Sequence, residues 1–293
     1  MSALDELSSS LSTIAASVTP SIVGIGSRLR GSGVVIADGQ VLTNAHNVRG
    51  DEVTVTFADG RSATGRLAGI DVDGDLAVIA VDTAGAAVLA WADGDGPSAG
   101  AIVFAGAATP GGGARVTFGS ISAIERSFRG PGGRRIGGSL EHTAPLMPGS
   151  SGGPLVNVAG ELLGINTNRL GSGFYLAIPA DETLRSRVDA LGRGQTPSRR
   201  HLGVGLAPAH VARRLRRAVG LSERDGLLVR EVEDDSPAAR AGVAEGDLIV
   251  AAGGRDVANA DDLFDVLGSS KADSPLELTL LRGDEERTVT VQP

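Results

Sequence analysis

Cysteine is absent from the 293-residue chain, and with it go disulfides, thiol nucleophiles and thiolate metal sites. Histidine is scarce as well. His46, His142, His201 and His210 show no paired spacing, so no metal site is expected and no cofactor is implied. No run of about 18 apolar residues occurs, and the N-terminus lacks a basic stretch leading into an apolar one, so neither a membrane span nor a signal peptide is visible. As written, the sequence is expected to remain cytoplasmic, or to work outside the cytoplasm if a leader has been removed. Lysine is almost missing: of 27 basic residues only Lys271 is not arginine, and the arginines are scattered rather than gathered on one face. With a formal charge of −8, the chain is a poor candidate for nucleic acid.

What is present fits a folded protein of roughly two domains, taking about 150 residues per domain as a prior. Hydrophobic residues make up 41% and charged residues 21%, enough apolar material for a sizeable core. Over residues 1–20, Leu4, Leu7, Leu11, Ile14 and Val18 recur at helical spacing and predict a short docking helix. Residues 21–180 read as short β-branched runs (SIVGI, GVVIA, QVLTNA, EVTVTF, DLAVIAV, AIVFAG, RVTFGSISAI, ELLGINTN, FYLAIPA) broken by Gly, Asp and Asn. Strands so short and evenly spaced predict a sandwich or a closed barrel, which hides sheet edges. Residues 181–200 predict a helix capped by Asp181, stopped at Gly192 and continued as a linker. Residues 201–293 alternate strands and helices as a small α+β domain, with 11 basic against 17 acidic residues.

The chemistry concentrates in PGSSGGPLVN, residues 148–157. A serine nucleophile needs an exposed Oγ and a turn whose amides face the developing oxyanion, and glycines on both sides permit such a turn. The same letters also suit a plain flexible loop. A base must come from the four histidines, and His46, ending the strand-like QVLTNA among small residues, is the one suited to face a cleft; His142, His201 and His210 read as ordinary surface residues. The orienting carboxylate should be buried beside a strand, which selects Asp75 at the start of LAVIAV over Asp71 and Asp73 in the turn before it. The set His46, Asp75, Ser151, spaced by 29 and 76 residues, is the expected catalytic triad.

GSGVVI, LTNAH, DLAVIAV, PGSSGGPLVN, GIN and LAIP together resemble the protease domain of the HtrA/Deg family of chymotrypsin-like serine proteases, and DSPAARAGVAEGDLIVAAGGRDV resembles the core of that family's C-terminal PDZ domain. The resemblance runs from about residue 10 to the end. It implies a mainly β protein, two six-stranded antiparallel β-barrels followed by a small α+β PDZ domain, acting as a quality-control endopeptidase on unfolded or exposed polypeptide. It also implies an oxyanion hole from the amides of Gly149 and Ser151, and a homotrimer formed through the N-terminal segment. The alternative is a non-proteolytic peptide-binding chaperone or scaffold whose triad is not assembled. Three departures stand out: Ser150 where the family has Asn, Met147 where Asn is common, and a regulatory loop shortened to GSRLR, which argues against an inhibitory lid.

By the same resemblance Leu146, Phe174 and Tyr175, with Met147, wall the pocket for the side chain preceding the cut. Tyr175 replaces a family Gly and should make the pocket shallow, suited to small aliphatic residues and closed to Lys or Arg. FYLAIPA is equally a core strand, with alternate residues on its two faces. Leu202, Gly203 and Val204 are implied to receive a peptide's C-terminal carboxylate. Leu263, Phe264 and Leu267 on the helix DDLFDVLG either line that groove or pack in the core. Arg213, Arg214, Arg216 and Arg217 are expected on the wet face of a helix whose apolar face carries Val211, Leu215 and Val219.

Overall fold

Strand closure dominates the computed structural model, which describes residues 2–94, 96–130, 135–196, 201–269 and 274–293 and divides into two units, 1–197 and 198–293. The first unit opens with α1 (Ala3–Val18), started by a reciprocal Ser2–Asp5 capping box. Only its C-terminal half docks: Val18 is buried and Leu11 and Ile14 pack on the core, while Leu4 and Leu7 stay 76% and 50% exposed. Six strands follow, β1 (Ile22–Ile25), β2 (Gly31–Ala37), β3 (Gln40–Thr43), β4 (Glu52–Thr56), β5 (Ser62–Asp71) and β6 (Leu76–Ala80), closing as β1-β2-β3-β6-β5-β4. The second six are β7 (Ile102–Ala108), β8 (Ala114–Arg129), β9 (Arg135–His142), β10 (Pro154–Val156), β11 (Leu162–Gly171) and β12 (Phe174–Pro179), closing as β10-β11-β12-β9-β8-β7. Closure leaves no free edge, which is how strands as short as these satisfy their backbone groups. Valines and isoleucines at alternate positions fill the barrels, with Val23, Ile25, Val35, Val41, Val55 and Ile79 in the first and Val103, Ile121, Leu140 and Leu155 in the second.

The helix α2 (Glu182–Gly192) is capped by Asp181, whose side chain accepts from Leu184 N–H. It belongs to the first unit. Leu184, Val188 and Leu191 are buried against the barrel strands, each contributing about 2 kcal/mol. Arg187 on α2 pairs with Asp71 at 3.2 Å, and Asp71 also accepts from the amides of Asp73 and Gly74. Asp71 is therefore buried rather than a solvated turn acid. The rest of the expected linker, residues 197–200, lies outside the described residues.

The second unit is a sheet ordered β13 (Val204–Ala207), β14 (Leu227–Val232), β15 (Leu248–Ala252), β17 (Leu276–Arg282), β18 (Glu285–Val291), with the short β16 (Arg255–Asp256) pairing β15. It carries α3 (Ala209–Ala218), the single turn α4 (Pro237–Arg240) and α5 (Ala260–Ser269). Asp247 is buried under a two-pronged bond from Arg282, Nε at 2.8 Å and Nη2 at 2.9 Å, and accepts from Ala244 N–H. Burial alone would raise this carboxyl; the guanidinium and the amide more than reverse that and leave it lowered.

The arginine face of α3 departs from the expected pattern. Arg213 pairs with Asp225 and Arg217 with Glu223, and Val219 is exposed. Arg216 is only 3% exposed: its guanidinium donates to the carbonyls of Ser222 and Gly283 and to Asp284, tying the β17–β18 turn to the helix. A loop and a turn offering unsatisfied carbonyls won this side chain from solvent. Arg216→Ala is expected to destabilise the second unit by about 2 kcal/mol, roughly 10 °C in its calorimetric transition, because two carbonyls lose a charged donor. Arg214→Ala, at an exposed position of the same helix, should leave the transition within about 2 °C.

Candidate active site

The three expected catalytic residues come together from both barrels of the first unit. His46 sits in a single 3₁₀ turn, Ala45–Asn47, just after β3; Ala45 and Asn47 are buried, so the imidazole between them projects outward with its side chain 32% exposed. Asp75 stands immediately before β6, fully buried, with φ +55, a left-handed backbone uncommon for a residue with a Cβ. His46 Nδ1 lies 2.9 Å from both carboxylate oxygens, and the His46 amide donates to Oδ1 at 3.2 Å. A carboxylate only accepts, so Nδ1 carries the proton and Nε2 presents its lone pair to the cleft.

Ser151 lies between β9 and β10. Its Oγ donates to the Thr167 carbonyl at 3.0 Å instead of bonding to His46 Nε2, so the serine arm of the triad is open while the histidine arm is made. Thr167 joins the two ends, since its hydroxyl donates to Asp75 Oδ2 at 2.9 Å. First-barrel groups clasp the nucleophile loop: Ser32 N–H and Asn47 Nδ2 both donate to the Ser151 carbonyl at 2.8 Å, and Ser32 Oγ donates to the Gly149 carbonyl at 2.8 Å. The residue spacing gave no sign of Thr167, Asn47 or Ser32, because each acts through hydrogen bonds between the barrels.

The turn before the nucleophile follows from its residues. Ser150 N–H donates to the Met147 carbonyl at 3.2 Å, with Pro148 and Gly149 at the centre and φ +87 at Gly149, the glycine-requiring arrangement of a type II turn. Ser150 is buried, and its Oγ accepts from Met147 N–H at 3.2 Å, so it holds the turn and does not face the cleft. A Cβ on Gly152 would stand 2.1 Å from the Ser32 carbonyl, which makes glycine obligatory there. Among the described residues, the Gly149 and Ser151 amides donate to no protein acceptor, whereas those of Ser150, Gly152 and Gly153 do.

Beside Ser151 opens a cavity of about 160 Å³ lined by Leu146, Met147, Tyr175, Asn166 and Arg169, among others. Leu146 and Tyr175 were expected in this wall. Phe174 is not in it: side chains alternate along β12, and Phe174, opposite Gly171 near the hairpin turn, is 38% exposed. Arg169 was missed, and it places a charge in a lining read as uncharged. Its signal was the hairpin itself, since the turn after Leu170 sets Arg169 directly across from Tyr175.

His142 is no surface residue. It ends β9, pairs with both Ile121 and Tyr175, and is fully buried, its ring stacked 5.8 Å from that of Tyr175. Nε2 donates to Asn166 Oδ1 at 3.0 Å, and Nδ1 has no partner among the described residues. Burial pushes this imidazole down to about 4, against the opposing pull of the Asn166 bond, so it is neutral at pH 7.

In the second unit β13 pairs, among the described residues, only with β14, which leaves its other edge without a strand partner there. The loop ahead of it is pinned by its carbonyls: Leu202 accepts from Ala238 N–H and Gly203 from Glu233 N–H, both at 2.9 Å. Val204 is partly buried. On α5, Leu263 is sequestered in the core, whereas Phe264 and Leu267 keep part of their surface.

No helix among the described residues is long and apolar enough to cross a membrane. No group of three or more acidic or histidine side chains among them could hold a metal ion.

Residues 31–165 match the model of the trypsin-like peptidase domain, and residues 201–292 that of the PDZ domain. A DegP-like periplasmic serine endoprotease of Halomonas elongata is 36% identical over 271 residues, covering 90% of this chain and 56% of that one. The serine protease HhoA of Synechocystis is 35% identical over 279 residues, 90% of this chain and 70% of that one. The chain thus spans about half the length of its DegP-like relatives. Among solved structures, the HtrA-type protease AlgW with a decapeptide superposes with a TM-score of 0.74 at 25% identity, covering 96% of this chain and 97% of that one. Two closed barrels carrying a Ser, His and Asp at one cleft, a following PDZ sheet, and relatives that align along 90% of the chain place it in the HtrA/Deg family of trypsin-like serine proteases.

Proposed function

We infer that this protein is a serine endopeptidase acting on unfolded or exposed polypeptide in protein quality control. The His46–Asp75 pair facing Ser151 across one cleft carries the reading. Ser151 Oγ attacks the peptide carbonyl as His46 Nε2 takes its proton, and Asp75 holds the imidazole in the required tautomer and steadies its charge. The amides of Gly149 and Ser151 receive the oxyanion. His46 then protonates the leaving amine, and water, activated by the same base, releases the acyl group from Ser151. Protein groups perform every step, and no cofactor enters. The assay is digestion of fluorescent casein with Ser151→Ala as comparator.

A second reading is favoured by the bond from Ser151 Oγ to the Thr167 carbonyl: a peptide-binding chaperone whose triad stays open. Wild-type protein that suppresses aggregation while leaving casein intact would establish it. Catalytic hydrogen bonds are often unmade in a resting site and tighten only around substrate, which keeps the first reading ahead.

The pocket for the residue preceding the cut is formed by Leu146 and Tyr175, without Phe174. The periplasmic naming of the relatives favours work outside the cytoplasm over the cytoplasmic placement suggested by the bare sequence. A homotrimer belongs to the same reading, with Leu4 and Leu7 of α1 as apolar surface such an assembly would cover.

The edge of β13 away from β14 and the loop Leu202, Gly203, Val204 take a peptide's C-terminal strand and carboxylate. Full-length Ser151→Ala protein should bind peptides with apolar C-termini at micromolar strength, about 8 kcal/mol, by titration calorimetry. Amidation of the C-terminus should weaken binding at least about tenfold. Undiminished binding of amidated peptides would remove these three residues from the site.

A further inference from the structure

We propose that Arg169 makes the pocket beside Ser151 selective for an acidic residue, Glu or Asp, immediately before the scissile bond. This rests on the endopeptidase reading and names its substrate class.

Arg169 lines the same cavity as Ser151, on the opposite strand of a hairpin from Tyr175, and its guanidinium carbon lies 5.9 Å from the centre of that ring. The register of β11 shifts between Asn166 and Asn168 and again between Arg169 and Gly171. Such bulges re-aim side chains, and the irregular stretch they bound, Asn166, Thr167, Asn168 and Arg169, contributes four consecutive residues to the lining. Arg169 makes no ion pair with a carboxylate among the described residues, and no Asp or Glu belongs to the lining. Glu141, on the strand β9 beside Tyr175, is engaged by Arg126 at 3.1 Å and Ser122 at 2.8 Å.

The chemistry of the wall sorts the candidates. Leu146, Met147 and the Tyr175 face suit a short methylene stem, and Arg169 adds a cation that has no carboxylate partner among the described residues. A carboxylate at the end of that stem would meet the guanidinium in the two-pronged geometry that arginine favours. A lysine or arginine would meet like charge, and an aliphatic side chain would fill the apolar part while leaving the cation unanswered. His142 cannot supply the charge: it is buried behind Tyr175 and neutral at pH 7.

The test uses the full chain and peptides amidated at the C-terminus, so that the second unit is not engaged. Peptides differing only before the cut, with Glu, Gln, Val or Lys, are compared by kcat/KM. Glu is expected to exceed Gln by about tenfold, and Lys to be the poorest. Arg169→Leu should reduce the Glu-to-Gln ratio to near one, Arg169→Lys should retain part of it, and Arg169→Glu should move the preference to Lys. Because an exposed charge pair is screened, the wild-type ratio should shrink between about 20 mM and 500 mM salt. The same peptides titrated against Ser151→Ala protein give a binding ratio that does not depend on turnover. A Glu-over-Gln binding preference that disappears in the Ser151→Ala, Arg169→Leu double variant supports the proposal even if no peptide is cut, an outcome that would fall on the endopeptidase reading alone. Equal handling of Glu and Gln, or a ratio unmoved by Arg169→Leu, overturns it.

Discussion

Ser151→Ala should lower kcat/KM on casein-derived peptides by about four to six orders of magnitude, because the members of a triad act as a unit and removing the nucleophile forfeits their joint effect. The neighbouring serine makes the prediction discriminating. Ser150 Oγ is buried and accepts from Met147 N–H, while Ser151 Oγ sits at the cleft on the carbonyl of Thr167, a residue that also binds Asp75. Ser150→Ala removes one bond within the turn, a loss of about 1 kcal/mol that should lower activity by no more than about tenfold. Equal losses at the two positions would show that the nucleophile has been assigned to the wrong serine. Asn47 and Ser32 hold the Ser151 carbonyl from the first barrel, so the alanine variant keeps its loop in place and the lost rate reports chemistry, not unfolding.

How much of this was legible in sequence follows the physics of each element. Strands rich in Val and Ile, such as β2, β3 and β6, stood out because they are buried on both sides and carry continuous apolar runs. β5 and β9 did not: SATGRLAGID and RIGGSLEH are built of Gly, Ala and polar residues, and barrel closure, not local propensity, makes them strands. β10 is three residues long, too short for any pattern. The cost of missing β9 fell on the site, because His142 was read as an ordinary surface residue when it is the buried last residue of that strand. Linear order was enough to single out His46, Asp75 and Ser151 as candidates, since the proposed chemistry restricts residue type. It could not show that Thr167 ties Asp75 to Ser151, nor that Arg169 stands opposite Tyr175, since both depend on register. The helix α2 was legible from its Asp181 cap and its stop at Gly192, but not that Leu184, Val188 and Leu191 would dock it on the barrel strands.

Acid should destabilise the protease unit through His142 in particular. In the folded chain burial holds this imidazole at about 4, whereas in the unfolded chain it is an ordinary histidine near 6.5. The unfolded state therefore binds the proton first as pH falls. The stability that His142 contributes by staying neutral is fully present above about pH 6.5 and lost progressively as pH falls from there to about 4, where the folded state also protonates. A separation of this size corresponds to about 3 kcal/mol, a substantial share of a domain's stability. His142→Gln keeps a donor for Asn166 Oδ1 and carries no titrating group, so its unfolding should depend less on pH. Urea unfolding followed by Trp91, the chain's single tryptophan and part of the first unit, reads this unit separately. The wild-type free energy should fall more steeply than that of His142→Gln between pH 6.5 and 4, with the difference in slope accumulating to about 3 kcal/mol. The comparison is of slopes, so a fixed loss from the substitution does not obscure it, and parallel curves would mean that the His142 pocket admits water. Because His142 stacks on Tyr175 and bonds to Asn166, both in the cavity wall beside Ser151, its protonation would disturb that cavity before the barrel as a whole gives way.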